Sequence, residues 1–342
     1  MKKTWKEIIK EIRVRKVSKE ALVLARKYNY RAYMIERYVR ILGLEEAKKL
    51  IEAFEKPLPQ AIRCNHLKID CSELENRLTE LGFVLEKVPW SIHGYRVMKE
   101  PYSPTIGSTH EYLKGYYYVY RDIAPMIPPL LLVEKGEKDV IFDGCAAPGG
   151  KATHLAQLME GEGLVIANDI ALYRLMALIS HVIRLGLKNI IVTWHDLRLL
   201  AKKIKRKFNK ILLDVPCSAE GTIMLDKTRK YKTTQLDLAK IVAREIELLN
   251  SGIEMLSDNG ILMYVTCSIA PEENEYVVSQ VINSRNDAVV IAPQKKLFEW
   301  DKGLRYFGNH EFHWSVENCI RIWPHKHNMI GMTICIIEKT SK

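Results

Sequence analysis

Hydrophobic and polar positions divide the chain into three stretches of different period. From about Thr4 to Phe54, apolar residues recur at helical spacing: Trp5, Ile8, Ile9 and Ile12 share one face, and Leu22, Leu24 and Ala25 continue the pattern. Gly43 breaks a third helix ahead of Glu45 to Phe54, and Pro57 and Pro59 close this segment. Residues 1–57 therefore read as an N-terminal helical segment. Residues 58–112 change character. Ala61 to Ile69 reads as a strand, Ser72 to Leu81 as a helix with Ser72 as N-cap and Gly82 at its end, and Phe83–Leu85 and Tyr95–Val97 as further strands. This predicts a small α+β module.

Residues 113–342 alternate strands and helices. Apolar runs at Asp139–Asp143, Gly163–Asp169, Asn189–Thr193, Lys210–Asp214 and Gly260–Thr266 are separated by helical patterns, the clearest at Tyr173–Leu185 and Gln235–Leu256. Such alternation predicts a mostly parallel sheet with helices on both faces. Cys319–Trp323 and Met332–Ile337 would complete it as an antiparallel edge. The fold class expected is α/β.

Composition adjusts this picture modestly. A formal net charge of +11, from 52 Lys and Arg against 41 Asp and Glu, suits a polyanionic partner as well as it suits a merely soluble basic protein. The run Lys202–Lys207 is a weak binding candidate, since such runs are more often solvated helix faces. No apolar run approaches the ~20 residues needed to cross a bilayer, and Met1–Glu7 lacks a secretion-signal core. The expectation is a cytoplasmic protein without membrane contact. Seven cysteines, an odd number without Cys-x-x-Cys spacing, lead us to expect neither a disulfide framework nor a structural metal.

Candidate chemistry lies at the strand ends. The first parallel strand ends at Asp143, followed by Gly144, Cys145, Ala146, Ala147, Pro148, Gly149, Gly150 and Lys151, then a helix. Small residues admit a ligand close to the backbone, and the spacing fits neither a dinucleotide fingerprint nor a phosphate loop. An acid beside such a loop suits S-adenosylmethionine. Asp169 ends the second strand, where it could accept from ribose hydroxyls. Asp196 follows the third, where an adenine contact and a plain helix N-cap are about equally supported. The fourth strand ends Asp214-Val215-Pro216-Cys217-Ser218 and the fifth Thr266-Cys267-Ser268. Two cysteines on neighbouring strand ends fit pyrimidine chemistry: a thiolate adding to carbon 6 makes carbon 5 nucleophilic. Asp214 could hydrogen-bond ring nitrogen 3, Lys151 could place positive charge nearby, and the second cysteine could assist collapse of the adduct.

These strings, with Pro271-Glu272-Glu273-Asn274-Glu275 after them, resemble the Nop/Sun (RsmB/Nop-type) family of RNA cytosine-5 methyltransferases. The resemblance implies a Rossmann-like class I methyltransferase domain with a seven-stranded sheet, Cys267 as nucleophile and Cys217 as the residue that assists release. It implies a cofactor site drawing on Cys145 to Lys151, Asp169, Arg174, Asp196 and Asp214. Ile62-Arg63-Cys64-Asn65-His66-Leu67-Lys68 is similar to the family's strand in an RNA-recognition-like module, and Arg321-Ile322-Trp323-Pro324-His325 to a late motif. The chain departs from the family at Tyr120-Arg121-Asp122 with Pro125, and at Gly331-Met332-Thr333, which puts the RNA target in question more than the chemistry. A compact chain gives a slight preference for tRNA over rRNA, and a monomer is expected. Arg63, Lys68, Arg96 and Lys99 are candidate phosphate contacts, each more readily a solvated surface residue. The rival readings are a non-catalytic RNA-binding assembly factor, and a methyltransferase acting on protein or a small molecule.

Overall fold

A computed structural model describes residues 3–341. Four helices, Trp5–Ile12, Lys19–Tyr28, Ala32–Leu42 and Leu44–Glu55, form the N-terminal segment. Gly43 separates the last two with φ +80°, a conformation that costs glycine little. Ile8 and Ile12 are buried, as their spacing requires. Unexpectedly for a surface helix, Arg37 is also fully buried. It donates to Glu272 at 3.2 Å and pairs with Glu220, which locks these helices to the C-terminal unit.

A small antiparallel sheet follows, from β1 (Ala61–Cys64), β2 (Val84–Lys87), β3 (Gly94–Lys99) and β4 (Tyr117–Tyr120), in the order β2-β3-β1-β4. Its fourth strand comes from beyond residue 112 and pairs with β1. The strand expected over Ala61–Ile69 stops at Cys64, because the chain turns at Asn65 and Lys68 N–H bonds back to the Asn65 carbonyl. The next helix is Cys71–Glu80, and Asp70 rather than Ser72 caps it. Asp70 reaches the N–H groups of Ser72 and Glu73, whereas Ser72 already lies inside the first turn.

The large sheet holds β5 (Val140–Asp143), β6 (Leu164–Asp169), β7 (Ile190–Trp194), β8 (Phe208–Asp214) and β9 (Leu256–Thr266), all parallel, in the order β7-β6-β5-β8-β9. The remaining strands are β10 (Ala288–Ile291), β11 (Asp301–Lys302), the hairpin β12 (Tyr306–Phe307) with β13 (His310–Glu311), β14 (Ile320–Ile322) and β15 (Met332–Lys339). β15 runs antiparallel beside β9, and its other edge is shared by β14 and β10. The antiparallel edge thus forms where the two late apolar runs predict it. Nine strands appear instead of seven because β10 and β14 divide one position and the two-residue β11 extends it.

Two disulfides correct the cysteine reading. Cys64 joins Cys71 and Cys319 joins Cys335, with Cα atoms 5.8 Å and 4.4 Å apart. Spacing along the chain does not reveal these pairs. Ile320 stands opposite Ile334, so Cys319 and Cys335 meet across neighbouring strands. Cys145, Cys217 and Cys267 are free. Among the described residues no His/Cys/Asp/Glu cluster could hold a metal, and no helix is long and apolar enough to cross a membrane.

Candidate active site

Strand order reverses between β5 and β8, and ligands in open parallel sheets bind at the carboxyl ends of the strands flanking such a reversal. A cavity of about 370 Å³ opens there, lined by Asp143, Cys145, Lys151, Asp214, Cys267 and Met332 among others. The two departures from the family pattern meet at it: Tyr120, Arg121, Asp122, Pro125 and Met332 all line its wall. Asp122 is buried and accepts from the N–H groups of Ala124 at 2.9 Å and Ile330 at 3.0 Å, which ties the two rim loops together.

The cysteines come together. Cys267 opens on the cavity, and Cys217 lies behind it with its sulfur 3.3 Å away. The hydrogen bond to Cys267, reinforced by burial, pushes the Cys217 thiol well above its ordinary value, so Cys217 keeps its proton. A buried hub fixes the two loops. Ser218 offers its N–H to Glu273 Oε1 and its hydroxyl to Oε2, both at 2.6 Å, and the Ser268 hydroxyl reaches the same Oε2 at 2.5 Å. Burial pushes the Glu273 carboxyl up to about 7. Thr266 donates to Asn274 at 2.6 Å, and Asn274 in turn donates to the carbonyls of Ser268 and Ala270. Arg321 grips Glu275 with two bonds of 2.6 Å and donates to the Ile269 carbonyl at 3.0 Å. The string after Cys267 is therefore a scaffold for the cysteine loops. Sequence reasoning assigned it no role, although the serine after each cysteine was a usable signal. Glu245 is buried in the same region with both oxygens unpartnered, and burial holds its carboxyl well above the usual range. Nothing in the sequence singled it out.

Lys151 Nζ donates to Asp214 Oδ2 at 2.6 Å. Burial works against the Lys151 charge, but the Asp214 carboxylate outweighs it and raises the group above its ordinary value. The positive charge expected of Lys151 is thus already engaged, and it orients Asp214 beside Cys267.

On the cofactor side, Asp143 is fully buried. Its Oδ1 accepts from Cys145 N–H at 3.3 Å, and its Oδ2 has no partner in the fold. Burial, then the nearby Asp214 charge, push it up to about 8. Gly149 adopts φ +108°, and a Cβ there would fall 2.5 Å from Leu178, so glycine is required for the loop to close. Asp169 is buried and holds Ala147 N–H at 3.1 Å and Ala171 N–H at 2.9 Å. Arg174 lies 3.7 Å from Asp169 and donates to the Ala147 carbonyl. Asp196 caps helix Leu197–Lys203 and pairs with Arg198 at 2.7 Å, outside the lining of the cavity at Cys267.

The candidate phosphate contacts fare differently from one another. Arg63 meets neither solvent nor phosphate. It is fully buried and donates to Gln157 at 2.9 Å, the Gly150 carbonyl at 3.0 Å, Thr153 at 3.1 Å and Tyr120, bracing the cofactor loop from behind. Lys68 is spent on the carbonyls of Lys114 and Arg184. Arg96 donates to the Asn328 carbonyl, and Lys99 is exposed. Lys202–Lys207 lead into the start of β8, at the sheet edge opposite the cavity.

Residues 130–338 match the family described as 16S rRNA methyltransferase RsmB/F, and residues 32–120 match the N-terminal domain of 16S rRNA methyltransferase RsmF. The chain belongs to the RsmB/F family of RNA methyltransferases. Human 28S rRNA (cytosine(4447)-C(5))-methyltransferase is 35% identical over 323 residues, 93% of this chain and 39% of that protein. Ribosomal RNA small subunit methyltransferase F of Psychromonas ingrahamii is 30% identical over 293 residues, 85% of this chain and 59% of that one. The chain thus spans less than two thirds of these curated relatives. A crystal structure of a methyltransferase homolog protein from Pyrococcus horikoshii superposes with a TM-score of 0.82 and 33% identity, covering 94% of this chain and all of the other. The cofactor of this RsmB/F member is S-adenosylmethionine. The site fits it: the ligand is cationic, and the cavity presents Asp143, with its unpartnered buried oxygen, and Asp214.

Proposed function

We propose that this RsmB/F member is an rRNA (cytosine-5)-methyltransferase that works through a covalent adduct on Cys267. The observation that carries this reading is free Cys267 at the cavity wall with free Cys217 3.3 Å behind it, and Asp214 lining the same cavity. Transfer to an amine would need no such pair. The curated relatives are named for rRNA, which favours rRNA over the tRNA slightly preferred from the compactness of the chain.

The cofactor supplies an electrophilic methyl group. Cys267 adds to carbon 6 of the cytosine, and the electron pair released makes carbon 5 the nucleophile. Asp214, held by Lys151, keeps its second oxygen to accept a hydrogen bond from ring nitrogen 3, which takes a proton from solvent as the adduct forms, so that the adduct is stabilised. Carbon 5 bonds to the methyl group as the methyl–sulfonium bond breaks. The carbon 5 proton then passes to a solvent base, its electrons expel the Cys267 thiolate from carbon 6, and protonated Cys217 hydrogen-bonds the departing sulfur. Ala146 to Gly150, Asp169, Arg174 and Asp196 would hold the cofactor. The target base must leave its stack to enter the cavity, at a cost of a few kcal/mol, so unpaired RNA is the natural substrate.

The test is incubation of the protein with labelled S-adenosylmethionine and separated rRNA and tRNA, followed by nucleoside analysis. The reading expects 5-methylcytosine in rRNA. Label in tRNA alone would return the substrate to the earlier preference, and RNA binding without transfer would favour an assembly factor.

A further inference from the structure

A second cleft, of about 500 Å³, lies between the loop after the first helix and the β12–β13 hairpin. Its walls carry Lys10, Arg13, Arg15, Lys16 and Arg40 against a single carboxylate, Glu11. That carboxylate is committed: it pairs with Lys3 at 2.8 Å and accepts from the Tyr276 hydroxyl. Arg40 is balanced by Glu36. Among the described residues, Lys10, Arg13, Arg15 and Lys16 form no ion pair. We propose that this cleft is a second RNA-contact site, which grips the phosphodiester backbone flanking the nucleotide held at Cys267. This rests on the reading that the substrate is RNA.

Three observations support it. First, the cations are presented on an ordered backbone. Ile12 and Val14 are buried while Arg13 and Arg15 are exposed, the alternation of extended chain, which sets the two arginines on one side about 6.6 Å apart at ~3.3 Å per residue. Successive phosphates of a single strand have comparable spacing. The Val14 N–H is anchored to Gln235 Oε1 at 2.7 Å, the Lys16 carbonyl to Arg40 at 2.7 Å, and the hairpin to the Glu11 carbonyl through His310 at 2.7 Å. A pre-ordered cation loses less entropy on binding than a free one.

Second, the cleft lies on the correct edge of the sheet. Gln235 begins the helix that crosses from β8 to β9, and these strands are parallel, so that end sits at their carboxyl edge. The chain entering the hairpin is tied by Leu304 N–H to Glu275, which begins the helix after β9 at the same edge. Cys267 emerges from that edge, whereas Lys202–Lys207 face the other. Third, residues 10–16 lie ahead of residue 32, where the match to the N-terminal domain of 16S rRNA methyltransferase RsmF begins, so that match does not account for this surface. Phosphate contacts of this kind position RNA without reading its sequence.

The experiment uses the full wild-type chain, single-stranded RNA of mixed sequence, and an amine-acetylating reagent. RNA is expected to protect Lys10 and Lys16 while Lys202 and Lys203 stay reactive. Arg13→Ala with Arg15→Ala should weaken RNA binding and make the slope of log affinity against log salt shallower by roughly 1.4, two contacts at about 0.7 each for a single strand. Arg13→Lys with Arg15→Lys should restore the slope. Unprotected Lys10 and Lys16 with RNA bound, or an unchanged slope, overturns the cleft and leaves the methyltransferase reading standing. Stronger protection by polyglutamate than by RNA overturns it in favour of an acidic protein partner. A wild-type protein that binds no RNA removes both readings.

Discussion

The two halves of the carboxyl edge solve the same problem differently. On the cofactor half, Asp143, Asp169 and Asp196 are each steadied by N–H groups of nearby loops: Cys145 two residues away, Ala147 and Ala171, and Arg198. On the cysteine half, the sulfurs are placed by Glu273 joining Ser218, 55 residues earlier in the chain, to Ser268. Arg321 adds a further tie across 46 residues to Glu275. The cofactor is large and would spread its contacts over several loops, which these short bonds and the Arg63 brace behind Gly150 hold in place. Attack on a carbon atom depends on the position of one sulfur, and a misplacement of about 1 Å can cost a hundredfold in rate. Cross-strand bonding in a buried setting supplies that rigidity.

The comparison can be broken on either half. The largest effect belongs to Cys267→Ala, expected to lower 5-methylcytosine formation by roughly 10⁴-fold or more in the label assay while cofactor binding persists. Residual product near the wild-type level would move the nucleophile elsewhere. Next is Glu273→Gln. Its amide nitrogen cannot accept the serine hydroxyls, so kcat should fall about tenfold to a hundredfold with little change in the cofactor Kd. A loss confined to the cofactor Kd would place the hub on the wrong half.

The same variant has a pH signature. The folded protein holds the Glu273 proton up to about pH 7, while the unfolded chain releases it near 4.5. Its contribution to stability is therefore fully present below pH 4.5 and is lost as pH rises through about 7. Thermal melts of Glu273→Gln across that window should lack this fall. The smallest effect is Asp196→Asn. Asparagine caps a helix about as well as aspartate, so stability should hold within about 0.5 kcal/mol while cofactor affinity drops several-fold. Lower stability with unchanged affinity would reduce Asp196 to a cap alone.

This asymmetry also decides what could be read beforehand. Strand-end acids, the small-residue loop and both cysteines depend on periodicity and short spacing, so the parallel core and the cavity residues were legible. Glu273 stood inside a recognised string, yet its partner was 55 residues away. Arg63 and Arg37 were opaque for the same reason: a charged residue reads as exposed until its distant partners are known. The cysteine pair 319–335 was missed because register across strands is not visible in one sequence, and 64–71 because it depends on the turn that brings the end of β1 to the start of the next helix.

The most direct test of the covalent account is Cys217→Ala incubated with rRNA and S-adenosylmethionine, then run on a denaturing gel. The account predicts a protein–RNA adduct that survives denaturation and disappears when Cys267→Ala is added to the same chain. Free RNA at full yield of 5-methylcytosine from Cys217→Ala, or an adduct that persists without Cys267, would contradict it.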